Sequence, residues 1–206
     1  VALFCGVGGV EPQSETVWHQ AERYGVPRIA FVNKMDRVGA DFARVVDEIR
    51  ERFDVNAVPI QLPWGCEDTF RGIVDLVELQ AITFSSDDRG SEPVIGPVPE
   101  EMTEDVARAR EALLEAASDI DDEIALLYLE GEPVPKEMLR AAIRQGTIDM
   151  SMVPVMCGTG LRDKGIQPLM DAMVHYLPAP NDLPPIQGTL TDGETPAERR
   201  QTTKEH

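Results

Sequence analysis

The sequence predicts an α/β protein in which a doubly wound parallel sheet is interrupted by an inserted α+β unit. Three observations lead there. Apolar runs without alternation, VALFC at 1–5, IAFV at 29–32 and VPVM at 153–156, suit inner parallel strands buried on both faces. Each is followed by a segment with helical spacing of apolar residues, giving β-α-β-α early and β-α late. Between the two parts lies a long stretch of short strand candidates and acidic helices that follows neither pattern.

In chain order, VALFC is a strand and the Gly-rich GVGGVEPQ a loop. Ser14 is expected to cap a helix with Val17, Ala21 and Tyr24 on one face. IAFV is the next strand and ends in the polar turn NKMD at 33–36. Asp41 then caps a helix on which Phe42, Val45, Val46, Ile49 and Phe53 fall at helical spacing. From about Ala57 to about Met150 come the strand candidates VPIQL, GIVDL and LQAITF, then helices with Thr103 and Asp121 as caps and Gly131 as a stop. Inserted as a satellite unit, this block would leave IAFV and VPVM free to be sheet neighbours. After VPVM, a loop leads to a helix ended by Pro178, with Ile166, Leu169, Met170, Met173, Val174 and Leu177 as its apolar stripe. The expected division is a sheet domain at 1–56 and 151–180, an insert at 57–150, and a polar linker into a next domain at 181–206. The first residues resemble the inside of a strand and carry neither an initiating Met nor a leader pattern, so an excerpt lacking its N-terminal strands is expected.

Composition narrows the function classes. In 206 residues, 42% of them hydrophobic, no apolar run approaches the roughly 20 residues of a membrane span. Cys5, Cys66 and Cys157 are widely spaced without a CxxC pair, which fits a reducing cytoplasm better than a disulfide framework or a zinc site. His19, His175 and His206 are equally scattered, and no metal ligand set is expected. A formal charge of −18 argues against independent nucleic-acid binding, which needs clustered Lys and Arg. The acid is concentrated at 100–132, where twelve Asp and Glu stand against Arg108 and Arg110. Such a run is a solvated helix face or a surface for a basic partner.

NKMD sits where open α/β sheets bind ligands, at the carboxyl end of a buried strand. A carboxylate at Asp36 matches the adjacent N1–H and 2-amino donors of guanine, whereas adenine would leave it unpaired. Lys34 can lay its methylene stem along the base. Asn33 can meet the base N7 and also pin the neighbouring loop. Alone, the tetrapeptide also fits a surface turn. A second strand-loop, VPVMCGTGLRDKG, shifts the reading to guanine, because Gly158, Thr159 and Gly160 offer backbone N–H groups to the base O6.

GVEPQSETVW with VPRIAFVNKMDRVGADF, and CGTGLRDKGIQPLMDAMVHYLPAPNDLP, resemble the guanine-nucleotide domain of the elongation factor G family of ribosomal translocation GTPases. The resemblance spans essentially the whole chain and is most specific in its outer portions. It implies a P-loop-type GTPase sheet, GTP or GDP as ligand, and NKMD as the fourth guanine-nucleotide motif. Thr159, Gly160 and Leu161 stand where the fifth motif usually reads Ser-Ala-Phe or similar. The implied base-binding residues are therefore Asn33, Lys34, Asp36, Gly158, Thr159, Gly160 and Leu161. A cytoplasmic monomer working on the ribosome is also implied, with the insert facing the stalk protein.

The phosphate loop G-x-x-x-x-G-K-[ST] is absent from these residues, since no Gly-Lys pair occurs. DRVG at 36 overlaps the base motif and DDRG at 87 lies in the insert, so both D-x-x-G spacings read as coincidence. Catalytic residues and Mg²⁺ ligands are thus expected elsewhere in a full-length GTP hydrolase, with this excerpt inactive alone. A release-factor or ribosome-protection GTPase would share the base motifs. A dinucleotide-binding reading of GVGG meets Glu11 where its third Gly should be. The isolated excerpt could also serve as a non-catalytic docking module.

Overall fold

The computed structural model describes residues 1–84, 93–182, 186–189 and 196–199. In chain order the elements are β1 (Ala2–Cys5), α1 (Pro12–Arg23), β2 (Ala30–Asn33), α2 (Phe42–Phe53), β3 (Ala57–Pro59), β4 (Gln61–Trp64), β5 (Gly72–Asp75) and β6 (Gln80–Phe84). There follow β7 (Pro93–Pro97), α3 (Thr103–Ser118), α4 (Asp122–Glu130), α5 (Lys136–Ile148), β8 (Val153–Cys157), α6 (Ile166–Tyr176), β9 (Ile186–Thr189) and β10 (Pro196–Arg199). Four strands form a parallel sheet in the order β1-β2-β8-β3, and four form an antiparallel sheet in the order β4-β5-β6-β7. The protein is a mixed α/β fold with an additional antiparallel sheet.

The two apolar runs separated by the long central block are direct neighbours, with Ala30 opposite Val155 and Val32 opposite Cys157. Their lack of alternation has a plain cause, because both faces of the sheet are covered. Val32, Val155 and Cys157 point into a cluster with Trp18, Val45 and Ile49. Ile29, Phe31 and Met156 point the other way, into a cluster with Leu139, Ile143 and Leu169. Burying a side chain of this kind contributes about 1.5–3 kcal/mol, so the order of the inner strands is fixed by two cores at once.

The segment VPIQL behaves differently from the expectation that it opens the insert. Ala57–Pro59 pairs in parallel with β8, Ala57 lying opposite Val153, and so completes the main sheet. The chain changes sheets at Ile60, whose N–H donates to Val155 at 3.0 Å while its carbonyl accepts from Leu76 at 3.0 Å. One apolar run thus serves two sheets, and hydrophobicity alone does not mark the switch. Beyond it, Glu78 pairs with Lys136 at 3.0 Å and Arg140 at 2.5 Å, and Arg110 donates to the Leu76 carbonyl at 2.5 Å. These contacts tie the β5–β6 turn to α3 and α5.

Helix boundaries follow local chemistry. α1 starts with Pro12 in its first turn and Glu11 as a cap residue without a side-chain cap bond, so Ser14 lies inside the first turn. A proline fixed at helical φ replaces the expected hydroxyl cap. Its core residue is Trp18, stacked on Phe53 at 4.3 Å, while Val17 and Tyr24 are exposed. α2 matches the expectation: Asp41 accepts from the Arg44 N–H at 3.0 Å, and all five apolar residues are buried. Thr103 does not cap α3, because a 3₁₀ turn at Glu100–Met102 runs directly into it. Asp121 does cap α4, and Gly131 closes it at φ 71°. On α6 the buried set is Leu169, Ala172 and Tyr176, with Met170, Met173 and Val174 exposed. β9 and β10 pair antiparallel, while the DDRG spacing and most of 181–206 lie outside the described residues.

Candidate functional site

β2 delivers Asn33 to the carboxyl edge of the sheet, and the chain reverses at Lys34, which takes φ 66°. Met35, the apolar residue in the middle of NKMD, is 1% exposed and plugs the core behind the turn. Its N–H donates to the Gly158 carbonyl at 3.2 Å, and its carbonyl accepts from Glu67 at 2.9 Å. On this fixed backbone Lys34 is exposed and Asp36 is largely covered.

The loop after β8 is built against the same turn. Gly158 leaves no space for a side chain, since a Cβ would stand 2.5 Å from the Lys164 carbonyl oxygen and 2.8 Å from Phe31 Cζ. Thr159 and Lys164 exchange backbone hydrogen bonds at 2.9 and 3.2 Å. Lys164 Nζ donates to the Phe70 carbonyl at 3.1 Å, which anchors the loop on a second side. Asn33 Oδ1 joins the two loops, accepting from Gly160 N–H at 2.9 Å and from Lys34 N–H at 2.8 Å. With its oxygen spent on two donors, Asn33 keeps its Nδ2 donor for a ligand acceptor.

The sequence pointed to Gly158, Thr159 and Gly160 as the N–H donors of this loop, and the structure shows those groups already engaged. Gly158 N–H goes to the Val32 carbonyl at 3.0 Å and Thr159 N–H to Lys164, while Gly160 N–H is held by Asn33. Within Gly158–Leu161, Leu161 alone has an N–H without a hydrogen-bond partner among the described residues. The free donor therefore lies at Leu161. Nothing local in the sequence marks this, because the competing acceptor sits 127 positions away from Gly160.

Lys34, Asp36 and Leu161 line an open cleft of about 720 Å³ together with Cys5, Val7 and Arg162. Asn33, Gly158, Thr159 and Gly160 are not among its lining residues. The Asp36 side chain is only 8% exposed, and its Oδ2 lies 3.0 Å from Arg162 Nε. Arg162 was missed from sequence, although a cation one residue past Leu161 in LRDKG was visible there. The opposite wall is the loop after β1, held by α2. Arg44 donates to the Gly6 and Val7 carbonyls at 3.1 and 2.8 Å and pairs with Glu48. Glu48 accepts from the Val10 N–H at 2.9 Å. That N–H, with Arg44 alongside, holds the Glu48 carboxyl below the usual carboxylate range.

Over residues 1–179 the sequence matches the family described as the elongation factor Tu GTP binding domain. The chain belongs to that family. It is also similar to a crystal structure of a protein from Thermus thermophilus, with 30% identity and a TM-score of 0.76. The similarity covers 89% of this chain and 28% of that one, so the chain spans under a third of the length of that relative. The family is one of GTP-binding domains of elongation factors. Among the described residues, no helix is long and apolar enough to cross a membrane.

Proposed function

We propose that this chain is the guanine-base-holding part of a ribosomal translocation GTPase of the elongation factor G type, which promotes GTP-dependent movement of tRNA and mRNA during protein synthesis. One observation carries the base-reading role: Asn33 Oδ1 fastens the NKMD turn to the Thr159–Leu161 loop, so that Asp36 and the Leu161 N–H share one cleft. Guanine fits those donors and acceptors. Its N1–H and 2-amino groups meet the Asp36 carboxylate, O6 meets Leu161 N–H and N7 meets Asn33 Nδ2, with the Lys34 stem along the ring. In this reading Gly158, Thr159 and Gly160 position the donors.

Hydrolysis is assigned to the full-length protein, because the chemistry depends on a phosphate-loop Lys, a metal ligand and a water-orienting residue, and no Gly-Lys pair occurs here. The cleft itself does not suit Mg²⁺, since its carboxylate at Asp36 is already paired with a cation; the ligands for Mg²⁺ are assigned to the rest of the protein. The main-sheet pairing of β3 supports a sheet domain at 1–59 and 151–180, with the insert between. The acidic helices α3 and α4 are proposed to face a basic surface of the ribosomal stalk, in a cytoplasmic monomer.

The test is nucleotide competition on the full-length protein. GDP should displace a fluorescent guanine nucleotide, and ADP should fail at a concentration about 10⁴-fold higher, because a purine that leaves buried polar groups unpaired is rejected by that order. Equal displacement by the two would overturn the base-reading role.

A further inference from the structure

The geometry points to Arg162 as a latch on the base cleft: its guanidinium pairs with Asp36, and guanine must displace it to bind. This inference rests on the base-reading role of Asp36 and adds a residue that sets its affinity.

The contact is specific to the acceptor the base needs. Arg162 Nε lies 3.0 Å from Asp36 Oδ2, and the carboxylate beneath it is 8% exposed, while the Arg162 side chain is 60% exposed. A guanidinium presents planar, parallel N–H donors to a carboxylate. The N1–C2–N2 edge of guanine is itself a guanidine fragment with two parallel N–H donors. Arg162 meets Asp36 here through Nε alone, so the guanidinium and guanine compete for one carboxylate from the same cleft, and the two occupy it in turn.

The exchange needs no movement of the loop. Gly160 is tied to Asn33, Lys164 to Phe70, and Arg162 N–H donates to the Thr159 carbonyl at 3.2 Å. The backbone stays in place, and the exposed Arg162 side chain alone swings into solvent, a motion of picoseconds to nanoseconds. The closed fraction then lowers the apparent affinity for guanine by the fraction of time the carboxylate is free. Adenine, with an acceptor at N1 and no 2-amino group, has nothing with which to displace the guanidinium.

The measurement is equilibrium and stopped-flow binding of fluorescent GDP to the full-length protein as wild type, Arg162→Ala and Arg162→Lys, at low and high salt. Arg162→Ala should bind GDP about two- to fivefold more tightly, the range an ion pair of this exposure supports, mainly through faster association. Arg162→Lys, which keeps the charge but not the planar fork, should fall between. The gap should close at high salt as the pair is screened, a change that a merely structural role would not produce. Weaker binding in Arg162→Ala would make Arg162 a base contact and overturn the latch. An unchanged affinity, with GDP still preferred over ADP, would overturn the latch alone. Loss of GDP preference in the wild type would overturn the base-reading role itself and the latch with it.

Discussion

Asn33 is a structural residue with a second, proposed role in holding the base. Its oxygen accepts two backbone N–H groups from segments far apart in sequence, and its amide nitrogen faces a different task. These duties separate by substitution. Asn33→Ala should lower stability by about 1 kcal/mol through the lost bonds, read from the denaturant midpoint without nucleotide. Asn33→Asp keeps the accepting oxygen, so it should stay near wild-type stability while losing guanine affinity. Equal destabilisation by both would contradict the division. The pinning role was legible in the sequence, because a strand-end Asn has both donor and acceptor. Its consequence for Gly160 was not, since an N–H consumed by a distant side chain leaves no local mark. Arg162 was overlooked for a related reason: an isolated Arg in a polar loop looks like any solvated cation until a buried carboxylate is placed beside it.

At the scale of elements, caps and periodicity were read well where chemistry is local and poorly where packing decides. Asp41 and Asp121 cap as expected because each side chain reaches N–H groups within its own first turn. On α6 half of the expected stripe packs inward, with Leu169 buried and Ile166 and Leu177 against the core, whereas Met170, Met173 and Val174 are exposed and Ala172 and Tyr176 take the inner face. The β5–β6 turn holds another feature invisible in sequence. Asp75 Oδ1 accepts from Val77 and Glu78 N–H at 2.7 and 2.9 Å, yet burial pushes its carboxyl above the ordinary value of 3.8, with Glu78 adding to the rise and Arg140 opposing it. A raised folded pKa means stability present below the unfolded pKa and lost as pH rises through the folded one. Asp75→Asn keeps the accepting oxygen and carries no charge. It should therefore be more stable than wild type at neutral pH, with the advantage vanishing as pH falls to about 3.8. Thermal melts across that range check it, and an advantage that grew toward acid would contradict it.

On the scale of the whole molecule, the parallel sheet is assembled from both sides of a long central block, and its functional edge is where the two parts meet. That β2 and β8 would be neighbours could be argued from two apolar runs that each need cover on both faces. That β3 would join them could not, because VPIQL reads as one strand and is two. The insert joins the main sheet at Ile60 and also touches the loops of the cleft, since Glu67 N–H donates to the Met35 carbonyl and Lys164 Nζ to the Phe70 carbonyl. In the proposed function, Asp36 selects guanine. Replacing it with Asn exchanges one acceptor oxygen for an amide donor, which opposes the 2-amino group of guanine and complements the carbonyl of xanthine. Binding of GDP and XDP to the full-length protein, wild type and Asp36→Asn, tests this directly. Guanine affinity should fall about a hundredfold, corresponding to roughly 2–3 kcal/mol for a charge-assisted pair, and XDP should become the preferred ligand with the melting temperature unchanged. An unaltered guanine-to-xanthine ratio accompanied by a lower melting temperature would contradict the account and leave NKMD as a structural turn.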